Sequence, residues 1–254
     1  MIMQLANAAE ARAACRSWAS EGHSIGFVPT MGALHAGHIS LVERAVAEND
    51  RVVLSIFVNP TQYDDPDDLA NYPRPLDRDL EMAAAAGAHA VYLPDFEDVY
   101  PDAYRFRVTE DAFSRHLEGA HREGHFDGVL TVVLKLFGIV RPDRAYFGEK
   151  DWQQLRLVRD MASTFFLDVE VVPCPIVREA DGLAMSSRNA RLTEEQRRRA
   201  PEFHRLLVSG RPEEEIRSAL EGSGFGVDYV ARHDGRVLGA VRLGNVRLID
   251  NVKA

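Results

Sequence analysis

The run Arg51-Val-Val-Leu-Ser-Ile-Phe-Val-Asn-Pro60 is apolar at consecutive rather than alternate positions. A strand reads this way when both its faces are buried, as in a parallel sheet with helices on each side. Its neighbours repeat the theme. Ser24 to Val28 is a second apolar strand, and an amphipathic helix follows over Ala36 to Glu48. A helix over Asp77 to Ala86 stops at Gly87, and Ala88 to Pro94 is β-like. Asp127 to Val140 carries Leu130, Val133, Leu134 and Phe137 on one helical stripe. Arg144 to Gly148 and Asp168 to Val172 read as strands on either side of a helix over Gln153 to Phe166. This alternation predicts a doubly wound α/β fold whose ligands sit beyond the carboxyl ends of the strands.

Near residue 176 the pattern changes. Thr193-Glu-Glu-Gln196 is a capping-box signature, and Pro201 should divide the helix that it opens. Short β-like pieces follow at Val227–Arg232, Arg236–Val241 and Asn245–Asp250, with His233-Asp-Gly-Arg236 as a hairpin signal between the first two. We therefore expect two domains, residues 1–175 and a smaller α+β domain over 176–254.

His35 and His38 stand at the junction between the second strand and its helix, in Pro29-Thr-Met-Gly-Ala-Leu-His-Ala-Gly-His38. A helix start leaves backbone N–H groups unpaired and carries the positive end of the dipole, so it attracts phosphate. Imidazoles three residues apart share a face, and Gly32, Ala33, Ala36 and Gly37 let a ligand approach the main chain. A satisfied turn is the competing account. Zinc is disfavoured, because no Cys/His/carboxylate set at ligand spacing accompanies the pair.

Three further segments lie at strand ends or in loops. Asn59 and Gln62 offer amides suited to a small polar ligand, or simply end a strand. Lys150 follows Gly148 and precedes Asp151, a candidate N-cap; it reads as a phosphate-binding point charge or as a solvated lysine. Ser186-Ser-Arg188 suits oligophosphate oxygens, or is a linker whose arginine pairs with a surface carboxylate.

The formal net charge of −9 argues against nucleic acid as the main partner. No apolar run approaches the roughly 20 residues of a membrane helix, and the start lacks a signal-peptide pattern. Cys15 and Cys174 are far apart and form no redox or metal motif. These features lead us to expect a cytoplasmic protein with free thiols.

Taken together, the motifs at 29–38, 55–62, 71–74, 124–137, 141–151, 177–189 and 247–252 resemble those of the pantoate–β-alanine ligases. His-Ala-Gly-His and Met-Ser-Ser-Arg also resemble the two signature loops of the wider nucleotidyltransferase superfamily. The resemblance implies a Rossmann-like domain with a small C-terminal lid, a homodimer, and Mg²⁺-dependent use of ATP. The implied reaction joins pantoate to β-alanine through a pantoyl adenylate, releasing AMP and diphosphate. It assigns His35, His38, Lys150, Ser186, Ser187 and Arg188 to the phosphates. Gln62 and Gln154 are assigned to pantoate, with Asn59, Tyr72 and Arg122 lining the acid pocket. Gly148 and Asp151 become ribose contacts. The main chain at Met31 and Val177 meets adenosine, while Leu34, Glu149 and Met185 complete the ATP site. Asp79 is expected to help hold magnesium, although the neighbouring acidic position of the family is Arg78 here.

The C-terminal part looks shorter than is usual in the family, notably near Ser209-Gly210 and the His233–Gly235 turn. Two alternatives stay open. One is a nucleotidylyltransferase acting on a phosphate-bearing acceptor, which would show no pantoate-dependent ATP–diphosphate exchange. The other is a regulatory ATP-binding module, which would bind nucleotide without forming AMP.

Overall fold

The computed structural model describes residues 2–254, which divide into two compact units. The first runs to Gly148 and resumes over Gln153–Cys174; the second comprises Glu149–Trp152 and Pro175–Ala254. The short excursion at 149–152 has no counterpart in the sequence reading, which placed these residues with the first domain.

The first unit is built on six parallel strands: β1 (Met3–Leu5), β2 (Ile25–Thr30), β3 (Arg51–Ile56), β4 (Ala90–Tyr92), β5 (Arg144–Gly148) and β6 (Glu170–Cys174). Their order is β1-β4-β3-β2-β5-β6, so the winding reverses between β2 and β5. Ligands of open α/β sheets bind at such a reversal, beyond the carboxyl ends of the strands. Val52, Val53 and Leu54 of β3 are fully buried, as the unbroken apolar run requires. Phe137, on the buried helix His125–Val140, stacks edge-on against Phe27 of β2 and Phe147 of β5 with centroids 6.5 and 6.4 Å apart.

Some element ends differ from expectation. β3 ends at Ile56 rather than near Pro60, because the Asn59 side chain caps a 3₁₀ turn over Pro60–Gln62. β1 and the helix Ala8–Ser20 went unread, although Asn7-Ala-Ala-Glu10 carries their signal. The Asn7 Oδ1 accepts from the Glu10 N–H at 2.9 Å, and the Glu10 carboxylate accepts from the Ala6 N–H at 2.9 Å.

In the second unit, three antiparallel strands, β7 (Gly226–His233), β8 (Arg236–Leu243) and β9 (Val246–Lys253), form a meander. The turn between β7 and β8 places Asp234 and Gly235 at φ 47° and 70°, the primed geometry that the Asp-Gly pair signals. Thr193 and Gln196 form the expected capping box, and Pro201 opens a separate helix, Pro201–Leu207. That helix lays Phe203 on Gly239 of β8; a Cβ there would stand 2.9 Å from the ring. Among the described residues, no helix is long and apolar enough to cross a membrane.

Candidate active site

In the first unit the loop after β2 is held from below. Gly32 and Ala33 take left-handed conformations at φ 78° and 51°, which turns the main chain sharply. The buried Asp79 carboxylate then accepts from the Ala33 N–H at 2.7 Å and the Leu34 N–H at 2.8 Å. Thr30 Oγ1 accepts from the Gly32 N–H at 3.1 Å and donates to the Ser55 carbonyl at 2.7 Å. The amides of Gly32, Ala33 and Leu34 are therefore each bonded to a side chain of this unit. Each Asp79 oxygen thus accepts one main-chain hydrogen bond, and a further lone pair remains on each.

The helix Ala36–Glu48 caps itself. His35 is its N-cap, with Nδ1 accepting from the Gly37 N–H at 3.1 Å, while the His35 carbonyl accepts from the N–H groups of His38 and Ile39. The open helix end anticipated from sequence is thus largely satisfied by His35 itself. What it presents are imidazoles: the rings of His35 and His38 stack with centroids 4.0 Å apart. Acceptance at Nδ1 leaves Nε2 as the ring nitrogen that carries a proton.

At the carboxyl end of β3 the buried Asn59 is fully committed. Its Nδ2 donates to Gln62 Oε1 at 3.1 Å and to the Gly128 carbonyl at 3.3 Å. Its Oδ1 accepts from the hydroxyls of Tyr100 at 2.9 Å and Thr61 at 3.0 Å. Both amide hydrogens of Asn59 are thereby used, one of them on Gln62. The Gln62 Nε2 also donates to Met31 Sδ at 3.2 Å, and the Tyr63 hydroxyl donates to the same sulfur at 3.5 Å. Tyr72 packs edge-on against Tyr63, with centroids 6.1 Å apart. One Gln62 amide hydrogen and one of its oxygen lone pairs stay uncommitted.

Arg122 braces this turn. Nε pairs with Asp64 at 3.1 Å, Nη2 donates to the Gln62 carbonyl at 3.3 Å, and Nη1 meets His125 Nε2 at 3.1 Å. His125 Nδ1 lies 2.8 Å from the same Gln62 carbonyl. Burial, reinforced by the Arg122 charge, pushes the His125 pKa down to about 3. His125 is therefore neutral, accepting from arginine at Nε2 and donating at Nδ1. Two guanidinium hydrogens of Arg122 remain for other partners.

The turn approaches the helix closely at Gly128, where a Cβ would stand 2.3 Å from the Thr61 carbonyl oxygen. Backbone on that side cannot swing away. Gly128→Ala should cost about 1–3 kcal/mol of stability, the ordinary range for overpacking, and urea unfolding checks it.

Gln154 is half-buried in this unit. Its neighbour Gln153 is the buried one; its Nε2 donates to the Phe113 and His116 carbonyls at 2.8 Å each, and its Oε1 accepts from the Glu118 N–H at 3.0 Å. Sequence reasoning passed over Gln153, although helical spacing sets it on the core side with Leu157.

In the second unit, Lys150 stands 3.8 Å from Asp151 Oδ1 with its side chain 19% exposed. The Asn251 Nδ2 donates to the carbonyls of Glu149 at 2.8 Å and Lys150 at 3.1 Å. The loop from Val177 to Met185 closes on itself through an Arg178–Ala184 bridge and a bond from the Met185 N–H to the Val177 carbonyl. Ser186 then caps a 3₁₀ turn over Ser187–Arg191, its Oγ accepting from the Arg188 N–H at 3.3 Å. The hydroxyl hydrogen of Ser186 remains available to donate.

Among the described residues, no group of three or more His, Cys, Asp or Glu could hold a metal ion. The donors therefore do not fit a resident magnesium cage. Magnesium bound through nucleotide phosphates needs none.

Residues 3–253 match the description of the family "Pantoate-beta-alanine ligase". The chain is 54% identical to a pantothenate synthetase of Bdellovibrio bacteriovorus over 230 residues, covering 91% of this chain and 92% of the relative. It is 49% identical to one from Legionella pneumophila, covering 90% of each. In three dimensions it is similar to a Francisella tularensis pantoate–β-alanine ligase, described as complexed with "Beta-gamma ATP" and β-alanine. That likeness has a TM-score of 0.93 and 37% identity, and spans 100% of this chain and 98% of the relative. A Thermus thermophilus pantothenate synthetase gives a TM-score of 0.91 at 42% identity, with 99% of each chain covered. Against these two relatives the chain is of matching length, so the C-terminal shortening expected from sequence does not set it apart. A family match spanning both units, at these identities, places the chain in the pantoate–β-alanine ligase family.

Proposed function

We propose that this chain joins pantoate to β-alanine using ATP. The pantoate carboxylate attacks the α-phosphorus, the α–β phosphoanhydride bond breaks, and diphosphate leaves. The β-alanine amine then attacks the acyl carbon of pantoyl adenylate, AMP departs with the acyl C–O bond pair, and the amine loses a proton. One observation carries the reading: the family match over residues 3–253, in a family whose Francisella member is described with an ATP analogue and β-alanine.

The chemistry of the residues supports a division of labour. An anionic carboxylate approaching a triphosphate is repelled, so the enzyme must offset charge and align the two groups. His35 and His38 offer imidazole N–H groups, and Lys150, Ser186, Ser187 and Arg188 offer cationic and hydroxyl donors to phosphate oxygens. Gly148, Glu149, Asp151, Val177 and Met185 belong to the nucleotide side of this reading. Gln62 suits a hydroxy acid, since its remaining donor and acceptor can serve a hydroxyl and a carboxylate. Gln154, Asn59, Tyr72 and Arg122 are assigned to the same substrate. In this reading magnesium would come with the nucleotide and offset part of its phosphate charge.

A cytoplasmic homodimer accompanies this reading. Cys15 and Cys174 are buried free thiols, as suits a reducing compartment, and burial pushes the Cys15 pKa up to about 11. Sedimentation at micromolar concentration checks the dimer.

The deciding experiment is AMP release with each substrate omitted in turn, together with ATP–diphosphate exchange. Exchange should require pantoate and proceed without β-alanine. Gln62→Ala should raise the KM for pantoate at least about tenfold, as expected for a lost charged-group hydrogen bond, and leave ATP affinity within a factor of two. Equal losses for both ligands would contradict the assignment.

A further inference from the structure

The segment Arg247-Leu-Ile-Asp-Asn-Val252 belongs to the sequence resemblance, yet no step above uses it. It lies on β9, and its two polar residues are almost wholly buried, Asp250 at 4% and Asn251 at 1% exposure. Buried polar side chains persist where their hydrogen bonds are complete, and these are. Asn251 Oδ1 accepts from Arg236 Nη1 at 2.7 Å, while its Nδ2 holds the Glu149 and Lys150 carbonyls. Arg236 Nη2 reaches the Glu149 carboxylate at 2.8 Å, and the guanidinium lies over the Trp152 ring at 4.1 Å. The whole turn carrying Lys150 is thereby clamped to β8 and β9.

Asp250 grips the other segment. Its carboxylate takes both Nη atoms of Arg178, at 2.7 and 2.9 Å, in the planar fork geometry that guanidinium prefers. Arg178 also donates to the Gly182 carbonyl at 3.0 Å and to the Asn251 carbonyl at 3.2 Å. These bonds fix the hairpin that leads directly into Met185-Ser-Ser-Arg188. Successive side chains of a strand leave opposite faces, so one dipeptide can hold two separate segments.

We infer that Asp250 and Asn251 are positioning residues for adenylation, holding the Lys150 turn and the Ser186–Arg188 loop in one common frame. The inference rests on the reading of those two segments as phosphate-binding. A cation contributes to a transition state in proportion to how firmly it is placed where charge develops. Asparagine is suited to the task at 251, since a short side chain must donate twice and accept once.

The test uses Asn251→Asp in the full-length enzyme. This change keeps an oxygen for Arg236 and replaces the amide donors by an oxygen that repels the Glu149 and Lys150 carbonyls. Two half-reactions are measured separately: pantoate-dependent ATP–diphosphate exchange, and AMP release from prepared pantoyl adenylate with β-alanine. Exchange should fall at least about tenfold while aminolysis stays within about twofold, since no diphosphate forms in the second step. In a Lys150→Ala background the substitution should cause no further loss of exchange, as for residues acting through one another. Equal falls in both half-reactions, unchanged exchange, or multiplying losses in the double variant would each overturn the inference. Should Asn251→Asp not fold, Arg236→Lys removes the support of the same amide and must show the same selective loss. If Lys150→Ala itself exchanges normally, the phosphate reading fails first; if only Asn251→Asp does, the inference alone fails.

Discussion

Replacing Lys150 by alanine should slow pantoate-dependent ATP–diphosphate exchange at least about a hundredfold, equivalent to roughly 2.7 kcal/mol of transition-state stabilisation. The distance of 3.8 Å to Asp151 is beyond hydrogen-bonding range, so that neighbour does not consume the ammonium donors. The main chain on which the lysine stands is clamped by Asn251. A positioned cation with donors to spare contributes most where negative charge shifts onto departing diphosphate. Exchange within about threefold of the parent would remove Lys150 from the mechanism.

Asp250→Ala should destabilise the second unit by about 3–5 kcal/mol, the usual cost of leaving one partner of a buried ion pair alone. Arg178 would keep its charge with its side chain only 22% exposed, and His204, now 3.3 Å from the carboxylate, would lose its partner as well. Urea unfolding followed through Trp152, in a Trp18→Phe background, reports on this unit. A loss below about 1 kcal/mol would show that the pair contributes no more than a surface bridge.

The same residue sets a pH signature. Burial pushes the Asp250 carboxyl upward, but His204 and Arg178 outweigh it and hold the pKa below the ordinary value. A depressed folded pKa contributes stability above the unfolded value, near 3.9, and loses it as pH falls through the folded value. The deficit of Asp250→Ala should therefore be complete at neutral pH and shrink in acid.

Much of the first unit was legible because strands buried on both faces must be apolar throughout, and β3 is. The helix bounds Ala36 and Glu48, the capping box at Thr193 and the Asp-Gly turn were readable from local chemistry alone. β1 was not, since three residues on a sheet edge carry no period.

The site was legible as residue types but not as bonding. The sequence points to an anion site at His35, yet cannot show that Asp79, 44 residues further on, accepts from the Ala33 and Leu34 amides. Asn59 and Gln62 look alike as free amides; only tertiary contacts separate the saturated one from the one with capacity left. Partners such as Asn251 and Lys150 lie 101 positions apart, and no periodicity connects them.

The excursion of Glu149–Trp152 into the second unit means that the chain crosses between units three times. A fragment beginning at Pro175 would lack Glu149 and Trp152, leaving the Arg236 guanidinium and the Asn251 amide without these partners. During synthesis the Lys150 turn leaves the ribosome about a hundred residues before the strand that clamps it. Its anchoring must therefore be among the last events of biogenesis, and stop codons in the final strand should abolish adenylation even where the parallel sheet has already formed.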